Sequence, residues 1–566
     1  MTYLKALKLY PKDEIKRKEY IKNTFVRTIC SLPYIISTPE LDIKKQSLTY
    51  VFEHIKDALV DIIAMFAEPD DGNILKTKKW NDFGYRKKLF DVLLTFEYKP
   101  IMIWIFLHFN YFKIDNLEMQ RKQLLENIDM FSKYLPYSHY FKNISELLQE
   151  NSLNPLFSIS YQNRNNKQIL ESYSKMLRKI CPDLNYNGVK ENRKKNPLPK
   201  ICFFSEYLTT ESSVLRDRIG IISQLPKNKF DVYYMSFTSP EKITGHISKT
   251  LYNLLKDKYL QAPNNICDAR SFIADQNFDI IIYCELGMLM KPLYLSYARL
   301  APVQITTWGH SETSGIDTID YYVSSKYFEI DEVSAQNHYS EKLILMNSLS
   351  TYYYTPTKLL LPLNHEFKTR KDFNYDDKMN IYGCIQSSFK ISEEFEKIIA
   401  NIIKGDPNAR ILMSLNKPFC RSQIIRIKNL LGDNDFKKLF FLPSLDIITY
   451  MNLIKLSDVI IDPYPFGGCN TSMEAFDFNI PVVTMPTKFI NGRFTFGMYK
   501  KMGFIDMVAD SVETYVRIAI KAGTDKKWRE TIVDKIKKNK HLLFQEKASV
   551  IDWSNFLETV YEHKLF

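Results

Sequence analysis

Apolar residues recur at helical spacing through the first part of the chain. They lie three and four positions apart from Tyr50 to Phe66 and again from Ile144 to Leu148, with no Pro or Gly in either window. An apolar stripe of this period predicts amphipathic helices. We therefore expect an α-helical domain over residues 1–190, and degenerate helical repeats are one form that it can take.

The pattern changes at a charged segment, 190–200, which contains Asn and Pro and predicts a domain boundary. Short apolar runs then alternate with helical windows, which is typical of βαβ units and a parallel sheet. This alternation predicts a Rossmann-like domain over residues 200–365. Its predicted strands are Ile201–Phe204, Asp231–Phe237, Asp279–Cys284 and Val303–Thr307, and its predicted helices are Ile266–Asp275 and Leu293–Leu300.

A second alternating set begins near Met379 and predicts another Rossmann-like domain over residues 375–566, with helices at its end. The predicted fold class is therefore α/β, with two Rossmann-like domains facing a cleft after an α-helical domain. Ligands of such domains bind at the carboxyl ends of the strands. The predicted strands are Ile381–Ile385, Ala409–Ser414, Leu439–Leu442, Val459–Asp462 and Val482–Met485. The predicted helices are Glu393–Ile403, Arg421–Leu431, Ile447–Ile454, Ser472–Phe478, Val512–Ala522 and Lys526–Leu543.

Composition narrows the class of protein. Hydrophobic residues make up 45% of the 566 positions, and the net charge of +12 comes from scattered basic residues, which are typical of solvated faces, so we expect no nucleic-acid partner. The eight cysteines have neither CxxC nor zinc spacing, which fits a reducing compartment and predicts no metal site. The N-terminus lacks a signal-peptide pattern, and the apolar run Ile101–Leu107 is far shorter than the ~20 residues of a membrane helix. We expect a cytoplasmic protein without membrane insertion.

The segment 458–476 carries the candidate chemistry. An apolar strand leads into a turn rich in Pro and Gly, and a helix opens at about Asn470–Thr471. Gly467 and Gly468 allow close approach to the backbone, and the free N–H groups of the first helical turn favour an anion such as a diphosphate. Glu474 follows one turn later, where a carboxylate can accept hydrogen bonds from a ribose. The same residues also fit a capping box, so the pattern alone leaves an anion site and a capped helix open. GxGxxG and Walker A sequences are absent, which disfavours dinucleotide and P-loop sites.

This segment resembles the O-GlcNAc transferase/SPINDLY family, glycosyltransferase family 41, and is most similar to its bacterial-type members. The resemblance covers roughly residues 155–545. It implies a GT-B fold, a nucleotide-sugar donor, inversion at the anomeric carbon, and neither a metal nor another cofactor. Further segments that carry it are Leu300–Gly315, Ile319–Tyr322, His338–Glu341, Pro481–Pro486 and Asn491–Gly503.

Site residues follow from the resemblance by position. Lys390 matches the family lysine that neutralises the donor diphosphate, and Tyr450 falls beside the base. His310, in a loop that lies over donor and acceptor, is a candidate for proton transfer. Glu285, after a predicted strand, is the preferred general base. The donor-binding set that the resemblance implies is Gln386, Tyr450, Gly467, Gly468, Cys469, Asn470, Thr471, Glu474, Gly309 and Arg493, with Asn470 and Thr471 on phosphate and Glu474 on ribose.

Two positions depart from the family pattern. Thr210 stands nearest to a His of the animal members, and Cys469 replaces another family His in the glycine-rich turn. These departures leave the donor and the acceptor open. The sequence favours transfer of GlcNAc or another hexose from a UDP-sugar to a hydroxyl of a protein Ser/Thr, a glycan or a small molecule.

Three alternatives remain open. They are a GDP-fucose-dependent O-fucosyltransferase, an Asn-directed N-glucosyltransferase and a non-catalytic scaffold that binds nucleotide sugars. The pocket around Tyr450 and residues 442–444 distinguishes uracil from guanine, but its size does not follow from the sequence. The oligomeric state is likewise open.

Overall fold

The computed structural model describes residues 117–134, 141–150, 154–191, 193, 196–362, 364–414, 421–443 and 445–565. The helical window predicted from Tyr50 to Phe66 lies outside these residues. The window from Ile144 to Leu148 is helical, as predicted. Among the described residues, three α-helices precede the first sheet, and the first of them packs against the third: α1 (Leu117–Tyr134), α2 (Ile144–Glu150) and α3 (Lys167–Ile180).

The first domain is built on a sheet in which the described strands are all parallel, in the order β3-β2-β1-β4-β5-β6-β7. The order reverses between β1 and β4, where Ile201 pairs with Ile280. Its strands are β1 (Lys200–Phe204), β2 (Asp231–Ser236), β3 (Tyr259–Gln261), β4 (Ile280–Tyr283), β5 (Val303–Thr307), β6 (Tyr321–Ser325) and β7 (Lys342–Met346). Its helices are α4 (Ser213–Gln224), α5 (His246–Leu254), α6 (Ile266–Asp275), α7 (Met290–Ser296), α8 (Glu332–Gln336) and α9 (Pro356–Leu360).

The second domain repeats this arrangement. Its described strands are also parallel, in the order β10-β9-β8-β11-β12, and the order reverses between β8 and β11. Its strands are β8 (Asn380–Cys384), β9 (Ala409–Met413), β10 (Leu439–Phe441), β11 (Val459–Ile461) and β12 (Val482–Val483). Its sequence continues through α10 (Glu393–Gly405), α11 (Arg421–Phe436), α12 (Ile447–Leu456), α13 (Asn470–Asp477), α14 (Phe494–Met502), α15 (Val512–Thr524), α16 (Lys526–Asn539) and α17 (Lys547–Leu565).

The final helix returns to the first domain. Trp553 and Leu557 on α17 are buried in the same core cluster as Ile201 and Ile280 of the first sheet. The indole N–H of Trp553 also donates to the backbone oxygen of Ser350 at 3.0 Å. The predicted division into three domains, residues 1–190, 200–365 and 375–566, remains a prediction. Within the described residues, we find no helix both long enough and apolar enough to cross a membrane.

Two doubly wound sheets were predicted and are confirmed, with one helix misplaced. The helix predicted at Leu293–Leu300 is Met290–Ser296, because the chain turns at Ala298 and Arg299 pairs with the backbone around Asn187. Strands β3, β6 and β7 were not predicted. β3 has only three residues, too few to show a pattern, and the sequence of β6 is half polar.

Candidate functional site

The predicted site residues of the second domain gather where its strand order reverses. Gln386 and Lys390 follow β8, and the glycine-rich turn 462–469 follows β11 and leads into α13. β8 and β11 are neighbours in the sheet. In open parallel sheets this is the place where ligands bind, outside the carboxyl ends of the strands.

The ammonium of Lys390 lies against the glycine-rich turn. Its Nζ donates to the backbone oxygen of Gly467 at 3.0 Å and to Oε1 of Gln386 at 3.3 Å. It also lies 4.8 Å from the ring centroid of Phe466. Burial lowers the pKa of Lys390, and the nearby Asp462 acts in the opposite direction. The cation is thus held at the point where the sequence predicts a diphosphate.

Glycine at position 468 is required by the close packing of its neighbours. A Cβ there would lie 2.5 Å from Nε2 of Gln386 and 3.2 Å from Oδ1 of Asp462. Asp462 accepts the Gly468 N–H at 2.5 Å and the hydroxyl of Thr484 at 2.8 Å, which fixes the turn. Nε2 of Gln386 is buried and has no hydrogen-bond partner in the part of the chain that the structure describes. Such a donor is free for a ligand.

Helix α13 begins without a side-chain cap. Cys469 occupies the N-cap position, and no side chain of the described residues accepts a hydrogen bond from the first turn there. The capping-box alternative is therefore wrong, because Glu474 turns to other partners. Burial and Asp217 both raise the pKa of the Cys469 thiol, so it is neutral at pH 7. The N–H groups of the first turn remain available to an anion.

Glu474 joins the two domains. Its carboxylate forms an ion pair with Arg216 on α4 and accepts the hydroxyl of Tyr450 at 2.6 Å. Burial raises the pKa of Glu474, whereas Arg216 and Tyr450 lower it. The Tyr450 hydroxyl also lies 3.2 Å from that of Thr471. The predicted ribose acid and the predicted base neighbour are thus in contact with each other.

The side chain of Asn470 is also engaged across the domains. It accepts the hydroxyl of Tyr353, and its Nδ2 donates to the two carboxylate oxygens of Asp217 at 3.2 and 3.3 Å. Burial raises the pKa of Asp217 to about 7. A phosphate contact by Asn470 in this arrangement is left to its backbone N–H.

Glu285 stands at the reversal point of the first sheet, directly after β4. Its Oε1 accepts the backbone N–H of Glu206 at 3.3 Å, and its Oε2 is buried without a partner among the residues described. Burial raises the pKa of Glu285 to about 8. Gly309 packs against this loop so closely that a Cβ would collide with the carbonyl oxygen of Cys284.

His310 is buried beside the same loop. A Cβ on Gly287 would lie 2.7 Å from its Cδ2, and its ring stacks on Phe157 at a centroid distance of 5.5 Å and an interplanar angle of 19°. Burial lowers the pKa of His310 to about 4. The imidazole is therefore neutral at physiological pH.

Arg493 lies apart from the glycine-rich turn. Its three guanidinium nitrogens donate to the backbone oxygens of Phe328, Glu329 and Thr487 at 2.8, 3.2 and 2.8 Å. Phe328 and Glu329 belong to the first domain, so the side chain fastens a loop of the second domain to it. Each of its nitrogens therefore donates to the protein backbone in this arrangement.

A 3₁₀ turn, Phe157–Tyr161, was missed by the sequence analysis. Its Phe157 stacks on His310, and its Tyr161 stacks on Phe466 at 4.4 Å between centroids. Asn491 donates to the backbone oxygen of Ser160 at 2.7 Å. The turn therefore contacts both domains beside the site. Its only sequence signal is a pair of aromatic residues four positions apart.

Helix α4 was also missed as part of the site. Its Arg216 and Asp217 contact Glu474 and Asn470 of the second domain, and its Arg218 is buried beside them. The available signal was a run of three charged residues inside an otherwise apolar helical window. Charged residues that are buried need partners or ligands, which makes such a run informative.

Part of the chain matches a known family. Residues 355–552 match the model of glycosyl transferase family 41. The second domain of the chain is thus similar to glycosyltransferase family 41. The family 41 match includes the whole glycine-rich turn and Lys390, so the recognition made from the sequence is confirmed.

Two proteins similar to this chain have names that specify different sugar donors. The probable UDP-N-acetylglucosamine–peptide N-acetylglucosaminyltransferase SPINDLY of Solanum lycopersicum is 26% identical over 266 residues, 45% of this chain and 27% of that protein. The UDP-glucose:protein N-beta-glucosyltransferase of Actinobacillus pleuropneumoniae serotype 5b is 24% identical over 272 residues, 46% of this chain and 42% of that protein. The chain thus spans about a quarter of the plant protein and less than half of the bacterial one.

A solved structure shows the fold. An O-GlcNAc transferase mutant of Thermobaculum terrenum superposes with a TM-score of 0.62 at 17% identity, covering 99% of this chain and 98% of that one. This likeness, with the two parallel sheets, confirms the predicted GT-B type fold with two Rossmann-like domains.

Proposed function

We propose that the protein is an inverting, metal-independent glycosyltransferase that moves a sugar from a UDP-sugar to a hydroxyl acceptor. One observation carries this proposal. The Lys390 ammonium lies on Gly467, directly before a helix whose first turn lacks a side-chain cap. A cation and a helix N-terminus together favour the two negative charges of a diphosphate.

The same groups suit the chemical step. As the bond between the anomeric carbon and the diphosphate oxygen breaks, its electron pair leaves with the nucleotide diphosphate. Lys390 and the N–H groups of α13 offset that growing charge, which is the kind of electrostatic stabilisation that lowers such barriers. Gln386 and the backbone of Gly467, Gly468 and Cys469 complete the cradle in this proposal.

Glu285 is the proposed general base. Its unpartnered Oε2 takes the proton of the acceptor hydroxyl while the acceptor oxygen bonds to the anomeric carbon, on the face opposite the leaving group. A pKa of about 8 makes its ionised form a stronger base than His310, whose pKa is about 4. In this scheme His310 hydrogen-bonds the donor or acceptor as a neutral imidazole. Gly309 allows the loop to pack closely against the backbone of Cys284.

Glu474 and Tyr450 are proposed to bind the nucleoside. A carboxylate held by Arg216 and Tyr450 keeps lone pairs that can accept ribose hydroxyls, and Thr471 lies beside it. Arg493 takes a supporting role in this proposal, since it holds the loop 487–493 against the first domain.

The proposed acceptor is a protein. Both similar proteins carry names that specify transfer to a peptide or protein, the plant one from UDP-N-acetylglucosamine and the bacterial one from UDP-glucose. The bacterial name favours Asn-directed glucosylation as the second candidate. Fucose transfer from GDP-fucose, a glycan or small-molecule acceptor, and a non-catalytic scaffold are the outcomes that the experiment must separate.

The experiment is a transfer assay read by intact-mass spectrometry. The protein is incubated with UDP-GlcNAc, UDP-glucose or GDP-fucose and with two matched peptides, one carrying Ser/Thr and the other Asn. Transfer from a UDP-sugar to the Ser/Thr peptide supports the proposal. Modification of the Asn peptide alone favours the N-glucosyltransferase. A sugar transferred only from GDP-fucose would overturn the UDP assignment, and binding without turnover of any donor would indicate a scaffold.

A further inference from the structure

Arg218 is a fully buried arginine whose charge is unpaired. It lies on α4, after the first strand of the first sheet, with a relative exposure of 0%. Its guanidinium stacks on Trp308 at 4.1 Å from the ring centroid. Nη1 makes one long hydrogen bond, 3.4 Å, to the backbone oxygen of Ser350. Nε and Nη2 have no hydrogen-bond partner, and no carboxylate within the described ranges forms an ion pair with it.

The neighbouring acid, Asp217, acts to raise the pKa of Arg218, but the two side chains form no salt bridge in the described structure. The carboxylate of Asp217 receives both of its hydrogen bonds from Nδ2 of Asn470. Burial raises the pKa of Asp217 to about 7, so a large share of it is uncharged at neutral pH. A buried guanidinium without a directly bonded counter-ion opposes folding, and a bound ligand that supplies the opposite charge offsets this cost.

The charge of the guanidinium acts on groups of both domains beside the proposed donor site. It acts to lower the pKa of the Cys284 thiol at the end of β4 and of the Cys469 thiol in the glycine-rich turn. Two buried polar atoms close to these two cysteines also have no partner in the described structure, Oε2 of Glu285 and Nε2 of Gln386. Glu285 directly follows Cys284, and Nε2 of Gln386 packs against Gly468, which precedes Cys469.

The free atoms of Arg218 define the chemistry of its ligand. Nε–H and Nη2–H lie on one edge of the guanidinium plane and form a fork that matches two oxygens of a phosphate. A neutral hydroxyl would leave the buried charge unbalanced. The nucleotide-sugar donor of the proposed function carries two phosphates, and either can supply two oxygens to this fork.

We propose that Arg218 is a second cation of the donor site, binding two oxygens of the sugar-linked phosphate from the first domain. This inference rests on the proposed function. Lys390 and the start of α13 then hold the diphosphate from the second domain, so that the donor connects the two domains. Arg218 also offsets the charge that the same phosphate gains as the glycosidic bond breaks.

The test compares Arg218→Met and Arg218→Lys with the wild-type protein. Met keeps an apolar contact with Trp308 and removes the charge, whereas Lys keeps the charge and removes the fork. Arg270→Met is the matched control, because Arg270 is also buried and lies 4.3 Å from a ring centroid, that of Tyr186, but is paired with Asp183. Calorimetry measures the Kd of UDP, GDP and their nucleosides, and thermal unfolding is recorded without ligand.

We expect Arg218→Met to weaken binding of the preferred nucleoside diphosphate about 10- to 100-fold. Binding of the nucleoside should not change, and the ligand-free Tm should hold or rise. The diphosphate affinity of Arg218→Lys should lie between those of the wild type and Arg218→Met. Arg270→Met should lower the Tm without changing diphosphate affinity. Unchanged diphosphate binding in Arg218→Met, or a lower Tm with a parallel loss of nucleoside binding, would overturn the inference. A wild-type protein that binds neither UDP nor GDP would instead overturn the proposed function.

Discussion

Arg216 on α4 of the first domain and Glu474 on α13 of the second form a buried ion pair between the domains. The side chains are 14% and 1% exposed, and Tyr450 donates to the other carboxylate oxygen. The candidate donor site is thus closed on one side by a contact between domains that the sequence did not predict.

Replacing Arg216 with Met should destabilise the protein in a pH-dependent manner. Loss of one partner leaves a buried carboxylate unpaired, which costs about 3–5 kcal/mol. The pKa of Glu474 is already raised by burial, and removal of Arg216 raises it further. Below the pKa that Glu474 has in the unfolded chain, its carboxyl is protonated in both the folded and the unfolded state. The loss of stability in Arg216→Met should therefore be small near pH 4 and should grow as the pH rises to 8. Chemical unfolding at both pH values measures this.

The matched control for that prediction is Arg164→Met. Arg164 pairs with Glu118 on the surface, where the side chains are 45% and 68% exposed. Exposed pairs contribute about 0–1 kcal/mol, so this variant should unfold almost like the wild type at either pH. Equal losses for the two variants would contradict a buried, uncompensated Glu474.

The pH dependence of kcat/KM should identify the general base. With Glu285 as base, the rate should rise with pH until the pKa of about 8 is passed, because the ionised form must accumulate. With His310 as base, the rate should rise near the His310 pKa of about 4 and should be flat from pH 6 to 9. Glu285→Gln should lower kcat about 10²- to 10⁴-fold and abolish the rise of kcat/KM near pH 8. A profile that keeps this rise in Glu285→Gln would exclude Glu285.

Lys390→Met should lower kcat/KM about 10²- to 10³-fold, because the leaving diphosphate loses the cation that offsets its charge. Lys404→Met is the control, since Lys404 is exposed in the last turn of α10. Steady-state rates with a saturating acceptor measure both. An active Lys390→Met variant with unchanged donor KM would remove Lys390 from the site.

Chelators should leave the activity unchanged. The proposed mechanism places Lys390 and the start of α13 where a metal-dependent enzyme would place a divalent cation. The described residues contain no cluster of three or more His, Cys, Asp or Glu side chains arranged to hold a metal. Rates measured with EDTA and with added Mg²⁺ or Mn²⁺ should agree. A rate that requires an added metal would contradict this mechanism.

Much of the fold could be predicted from the sequence, because strands buried on both faces are continuous apolar runs. β5 and α6 were predicted with the bounds that the structure has. The return of α17 to the first domain could not be, since periodicity identifies a buried face without naming the surface that it packs on. The short β3 and the half-polar β6 carry too little pattern to identify.

The site was predictable where backbone chemistry decides it. The glycine-rich turn and the start of α13 follow from Gly467, Gly468 and an apolar strand. The contacts of Glu474 and Asn470 with α4 depend on how two domains meet, and no local spacing encodes that. Family resemblance located Lys390 but did not indicate Arg218, whose significance lies in its burial and its missing partner.

A donor site between Lys390 and α13 is tested most directly by a thermal-shift titration of the wild-type protein with UDP, GDP and the corresponding nucleotide sugars. We expect at least one diphosphate, with UDP first, to raise the Tm. At about 100 times its Kd this ligand should add ~2.7 kcal/mol to the stability. The same ligand should give a markedly smaller shift with Lys390→Met. Failure of every nucleotide and nucleotide sugar to shift the wild-type Tm would contradict a donor site between Lys390 and α13.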